Sequence, residues 1–213
     1  MSKIENMKLI FISGPSGSGK TTLSNQILSE IENGYVLSTD NYYKTGLISR
    51  ILSKFVKGYF DRRISFNYKL FKKDFKFIMI NGISLKERQY NFQLKAIETI
   101  LNEVNNIKYL IIEGIFAKDF LNTIHNQKII LIELNTNKNE CMKRVLKRDR
   151  KERGKEKKKA KKDFLESWDI YNKKFDNKSI KSKTNEIIIL KNSNIDEMLK
   201  DILINFTKFI RQH

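Results

Sequence analysis

Gly14-Pro15-Ser16-Gly17-Ser18-Gly19-Lys20-Thr21 decides the fold of this 213-residue chain. Three glycines in eight residues let the backbone curl until successive N–H groups point inward, a cradle suited to phosphate oxygens. Lys20 can then reach the β- and γ-phosphates of a nucleotide, and the Thr21 hydroxyl can meet a Mg2+ ion. Thr22 continues the loop into a helix. The context agrees on both sides. Lys8–Ser13 is a short apolar run that suits a buried parallel strand. After the loop, Leu23, Ile27, Leu28 and Ile31 recur at helical spacing, with Gly34 as the stop signal. The positive end of that helix adds to the phosphate site.

Further apolar runs at Tyr35–Thr39, Lys108–Ile112, Lys128–Leu134 and Glu186–Leu190 read as strands. Amphipathic patterns predict helices over Leu47–Val56, over Tyr68–Ile80, through Ile97, Ile100, Leu101 and Val104, and at the C-terminus, where an apolar stripe runs from 195 to 210. Gly82–Phe92 reads as an extended excursion. Strands alternating with helices predict an α/β fold, a parallel sheet covered on both faces. With the glycine-rich loop, this specifies a P-loop NTPase three-layer sandwich around a five-stranded parallel sheet. No linker or repeat divides residues 1–213, so one domain is expected, with an acceptor-side insertion near 45–95 and a basic lid near 147–162.

Bulk properties narrow the setting. At 40% hydrophobic and 11% aromatic residues the chain can bury a sizeable core. Its longest apolar runs, such as Ile129–Ile132, are of strand length, and no membrane span is expected. The single cysteine, Cys141, excludes an intrachain disulfide and fits a reducing cytoplasm. Its helix-face spacing from Val145 predicts a buried structural thiol. The net charge of +18 is largely local: Lys143–Lys162 holds 13 Lys/Arg and 3 Asp/Glu, which is +10 of the total. No aromatic interleaves these cations, which argues against a nucleic-acid partner. Arg144 and Arg148 share a helical face and Gly154 provides a hinge, as a lid closing on phosphates requires; Lys157–Lys162 reads as solvated surface.

Two acids fall at strand ends, where open α/β sheets bind ligands. Asp40, followed by Asn-Tyr-Tyr, suits a general base; Glu113 suits the metal side of the site. No aspartate has a glycine three residues later, so the Asp-x-x-Gly of a GTPase switch is absent. Asn137-Lys138-Asn139-Glu140 reads as a helix cap.

In these pieces the chain resembles the uridine kinase family, the uridine–cytidine branch of the P-loop kinases related to phosphoribulokinase. Ser38-Thr-Asp-Asn-Tyr-Tyr-Lys44 is similar to that family's Ser-x-Asp-x-Phe-Tyr-Lys, Ile111-Ile-Glu-Gly-Ile115 to its Glu-Gly-Ile, and Arg148-Asp-Arg-Lys-Glu-Arg-Gly-Lys155 to its Arg-Asp-x-x-Glu-Arg-Gly-Arg. The resemblance implies transfer of the γ-phosphate of ATP or GTP, with Mg2+, to the 5′-hydroxyl of uridine or cytidine, a step of pyrimidine salvage. It implies Asp40 as base, assisted by Lys20, Arg148 and Arg153. Thr21, Glu113 and Asp40 fall on the metal side. Tyr43, Phe60, Asp61, Tyr90, Arg144, Arg148 and Lys155 fall on the acceptor, with Asp61 on the ribose hydroxyls and Tyr90 against the base. A homo-oligomer, a tetramer, is implied as well. Arg62-Arg63 stand where the family has His-Pro, Lys95 where it has a histidine, and Lys155 where the lid has an arginine. Two alternatives stand beside this reading: a P-loop kinase for another small alcohol, and a non-catalytic NTP-binding protein associated with RNA.

Overall fold

The computed structural model describes residues 7–125, 128–175 and 186–192. Five parallel strands form its centre: β1 (Lys8–Ser13), β2 (Gly34–Ser38), β5 (Tyr109–Glu113), β6 (Lys128–Leu134) and β7 (Glu186–Asn192). They lie in the order β2-β5-β1-β6-β7. Ile10 is opposite Ile111 on one side and Ile130 on the other, so the strand entering the phosphate loop is central.

Strand side chains alternate between faces, and here both faces are apolar, as burial between two helical layers demands. Leu9, Phe11, Leu110, Ile112, Ile129 and Leu131 face the layer that contains Phe71 and Ile78 of α3 (Tyr68–Asn81). Ile10, Ile12, Ile111, Ile130 and Ile132 face Leu23 and Ile27 of α1 (Lys20–Glu30). The expected three-layer sandwich is present. The α1 helix stops at Glu30, short of Gly34, and Asn33 supplies the left-handed residue of the turn with φ 60°.

Between β2 and β5 the chain leaves the sheet through α2 (Leu47–Phe55), α3 and an antiparallel hairpin, β3 (Ser84–Asn91) with β4 (Ala96–Val104). The hairpin corrects one expectation. The helix predicted through Ile97–Val104 is strand β4, with Ile97 opposite Tyr90 and Ile100 opposite Glu87. Its residues satisfied a helical spacing, but only Ile97 and Val104 pack on the core; Ile100 is 47% and Leu101 88% exposed, so half of the stripe has nothing to cover. With that packing gone, the β-branched Ile97, Thr99, Ile100 and Val104 favour the extended form.

Beyond β6, α4 (Lys138–Arg153) starts where the Asn137 side chain accepts from Asn139 N, and ends at Gly154 in the left-handed region with φ 60°. Lys157–Lys162, read from sequence as solvated surface, opens a further helix, α5 (Lys157–Phe175). Ala160, Phe164 and Ser167 form its buried face; the lysines are exposed, and Lys158, Lys159 and Lys162 among them line the cleft described below. Phe164 packs on Cys141 and Val145 of α4. Cys141 is buried, with its thiol 3.7 Å from the Thr136 carbonyl, as expected of a structural cysteine. No helix among the described residues is long and apolar enough to cross a membrane. The C-terminal stripe lies outside the described residues.

Candidate active site

The loop at residues 14–19 follows β1 and feeds directly into α1. Gly17 has φ 81°, and a Cβ there would sit 2.5 Å from the Cys141 carbonyl oxygen. Thr136 adds a 3.0 Å hydrogen bond to the Ser18 carbonyl. The phosphate loop therefore rests on the start of α4. Lys20 is buried and donates a 2.9 Å hydrogen bond to the Pro15 carbonyl. Burial lowers its pKa, opposed by the charges of Glu113 and Asp40.

The strand register carries the acids to the same edge. Glu113 ends β5, opposite Ile12 on one side and Ser38 on the other. Ser38 donates to its Oε1. Burial and then the nearby Asp40 charge push the Glu113 carboxyl upward, while Lys20 and hydrogen bonds from Ser38 and Thr21 oppose them. Asp40 follows on a single turn, Thr39–Tyr42, where the Asp40 N–H is capped by the Ser38 hydroxyl. Among the described residues no three His, Cys, Asp or Glu group into a metal site. Thr21, next to Lys20, is nonetheless close enough to Glu113 to help hold its carboxyl charged. Two hard oxygen donors, with the remainder left to water and phosphate, fit the coordination Mg2+ prefers.

On the far side of Asp40 opens a cleft of about 1070 Å³ that also touches Ser16 of the loop. Its floor is aromatic. Tyr43 meets Phe60 at 5.1 Å, Tyr90 at 5.2 Å and Phe92 at 5.7 Å between ring centroids, in edge-to-face contacts. The Tyr43 hydroxyl reaches Asp40 Oδ1 at 3.4 Å. Burial, followed by the charges of Asp40 and Asp61, raises the Tyr43 pKa well above its usual range, so it stays a hydrogen-bond donor. Asp61 lines the same cleft and accepts a 2.6 Å hydrogen bond from the Ser167 hydroxyl. Burial pushes its pKa up to about 6, against the Ser167 hydrogen bond and with the help of Asp40.

The C-terminal turn of α4 roofs the cleft. Asp149, buried on α4, takes ion pairs from Arg148 at 3.0 Å, Lys155 at 3.1 Å and Arg153 at 3.4 Å. Burial alone would push the Asp149 carboxyl up; these cations outweigh it and hold the pKa low. Lys155 also reaches Asp163 at 2.8 Å. The Arg153 guanidinium lies 3.8 Å above the Phe92 ring centroid, and Gln93 donates to the Glu152 carbonyl at 3.0 Å.

Most of the expected acceptor residues thus converge: Asp40, Tyr43, Phe60, Asp61, Arg148, Arg153 and Lys155 line one cleft. Two do not. Arg144 is exposed and lies outside the lining. Tyr90 is only 7% exposed and packs behind Tyr43 and Phe60, with its buried hydroxyl unpartnered; Phe92 is the ring on the cleft surface. Arg62 and Arg63 also turn away. Arg62 donates to the Lys57 carbonyl and Arg63 pairs with both oxygens of Asp119, at 3.1 and 2.8 Å. Sequence reasoning missed Ser167 and the hub role of Asp149. The 160, 164, 167 spacing was the available signal for Ser167.

A family model described as "Phosphoribulokinase / Uridine kinase family" matches residues 9–190. The chain is 32% identical over 153 residues to a uridine kinase of Staphylococcus haemolyticus, covering 70% of this chain and 72% of that one. It is 30% identical over 151 residues to a uridine kinase of Ureaplasma parvum serovar 3, covering 68% and 70%. Among solved structures, D-glycerate 3-kinase from Cryptococcus neoformans var. grubii shares the fold with a TM-score of 0.59 at 13% identity, covering 87% of this chain and 86% of that one. With its phosphate loop, strand-end acids and roofed cleft in place, the chain belongs to the phosphoribulokinase/uridine kinase family, as a P-loop kinase for a nucleoside or other small molecule.

Proposed function

We propose that the chain transfers the γ-phosphate of ATP or GTP to the 5′-hydroxyl of uridine or cytidine, giving UMP or CMP for pyrimidine salvage in the cytoplasm. The observation that carries this reading is the position of Asp40. It sits between the buried Lys20 and the aromatic cleft and is contacted by Tyr43. A nucleoside base fits between rings, and a half-buried carboxylate such as Asp61 can accept from both ribose hydroxyls.

In this mechanism Asp40 accepts the proton of the attacking hydroxyl, and Lys20 and the loop N–H groups hold the transferring phosphate. Thr21 and Glu113, with Asp40 on the same side, would hold Mg2+, which would supply positive charge to the phosphates. Arg148, Arg153 and Lys155, already gathered by Asp149, bring cations over the cleft and exclude water. Homo-oligomerisation, as a tetramer, belongs to the same reading.

ADP release over a panel of nucleosides and small alcohols tests it. Uridine or cytidine should give the highest kcat/KM. A preference for a non-nucleoside alcohol would transfer the cleft to another acceptor, and ATP binding without turnover of any alcohol would remove the kinase reading of Asp40.

A further inference from the structure

Three cations that line the cleft, with Arg50 beside them, come from three segments distant in sequence. Arg50 and Lys54 come from α2, Lys95 from the β3–β4 turn and Lys159 from α5. Lys54, Lys95 and Lys159 line the cleft directly. Lys95 and Arg50 are held in place. Lys95 Nζ donates to the Ser53 hydroxyl at 2.6 Å, and Arg50 donates to the Leu94 carbonyl at 3.2 Å. Lys95 adopts φ 52°, a left-handed conformation uncommon outside glycine and concentrated at functional positions. Burial, then the charges of Lys54, Arg50 and Lys159, lower the Lys95 pKa, so all three stand close enough to act on Lys95.

Like charges on flexible stems ordinarily splay into water. Here hydrogen bonds fix two of them together, and among the described residues no ion pair includes any of the four. Three carboxylates beyond Asp149, Asp40 and Asp61 line the cleft, namely Glu156, Asp163 and Glu166. Asp163 is already engaged by Lys155. Asp149 shows the contrast, since it neutralises three cations at once.

We propose that Arg50, Lys54, Lys95 and Lys159 form a binding site for a small phosphate-class polyanion, separate from the phosphate loop, that bridges α2, the hairpin turn and α5. Three ammonium groups and a guanidinium match a multiply charged tetrahedral oxyanion, which accepts from several directions at once. The cleft, at the upper end of the ~300–1,000 Å³ usual for small-molecule sites, has room for the anion beside an acceptor. By tying α5 to α2, the bound anion holds the roof over the acceptor and lowers its KM.

The test is calorimetric titration of pyrophosphate into the full chain without Mg2+, with Tm followed in parallel. Lys20→Ala removes the phosphate-loop lysine, and Lys54→Gln with Lys159→Gln removes two cations of the cluster. One saturable site should persist in Lys20→Ala and weaken by about tenfold or more when the two cluster changes are added. Loss of all saturable binding in Lys20→Ala, or an affinity indifferent to Lys54 and Lys159, would overturn the proposal. So would a rise in Tm from sodium chloride equal to that from pyrophosphate at matched ionic strength, since general screening needs no site.

Discussion

The Ser167 hydroxyl donates a 2.6 Å hydrogen bond to Asp61 Oδ1, joining the roof helix α5 to the turn that presents the expected ribose-binding carboxylate. Asp61 is thus held in place before any acceptor arrives, with a pKa raised to about 6 mainly by burial.

That value predicts a pH dependence. Below pH 6 Asp61 takes up a proton and loses acceptor capacity for ribose hydroxyls. The kcat/KM for ribonucleosides should therefore fall as pH drops through about 6, chiefly through KM, and Asp61→Asn should abolish that limb. The stability effect has the opposite sign. A raised carboxyl pKa favours the folded state at low pH, and the benefit is lost as pH rises through about 6. Relative to the parent, Asp61→Asn should therefore have its more favourable Tm difference at about pH 8 rather than pH 5, because Asn can still accept from Ser167. A pH-independent KM in the parent would separate Asp61 from the acceptor.

Asp40→Asn should leave ATP binding unchanged and lower kcat by about 10²–10⁴. Nucleotide titration and steady-state ADP release measure the two effects separately. Unaltered turnover would remove Asp40 from the proton transfer.

Arg153 and Phe92 couple the roof to the hairpin. A double-mutant cycle with Arg153→Met and Phe92→Leu, read as stability in denaturant, should return an interaction of ~0.5–2 kcal/mol. Each single change should also raise the acceptor KM. Strict additivity in the cycle would show that the contact holds nothing together.

Gly17→Ala places a methyl 2.5 Å from the Cys141 carbonyl at φ 81°. Overpacking of this kind costs about 1–3 kcal/mol. The lowered Tm should come with weaker ATP binding, because relief requires the phosphate loop to lift from α4. A fall in Tm with unchanged nucleotide affinity would mean that α4 moves instead.

The sheet and the donor side were legible in the sequence because their signals are local. A buried parallel strand is an unbroken apolar run, and the loop between Gly14 and Thr21 is specified by its glycines alone. Asp40 and Glu113 followed from strand ends; the register sets Ser38 beside Glu113, with Asp40 two residues further on. The acceptor side was legible only in part. Ile97–Val104 fits a helix and a strand equally until exposure is known: Ile97 and Val104 pack on the core, while Leu101 is left uncovered. Tyr90 and Phe92 are two apart on β3 and its extension and both pack on Tyr43, yet only the burial of Tyr90 reveals which ring reaches the cleft. Ser167 lies 106 positions from Asp61, beyond any motif, on a helix whose lysines masked its buried face.

The placement of β2 beside β5 has one more consequence. Strands that pair directly, Val36 with Ile111, bound the whole excursion through α2, α3 and the hairpin. Asp40 and the phosphate loop stay behind with the sheet. The stretch from 45 to 104 is therefore a cassette between two fixed anchor points. On the proposed reading, exchanging it would redirect the kinase to a new alcohol while the donor chemistry stayed with the sheet.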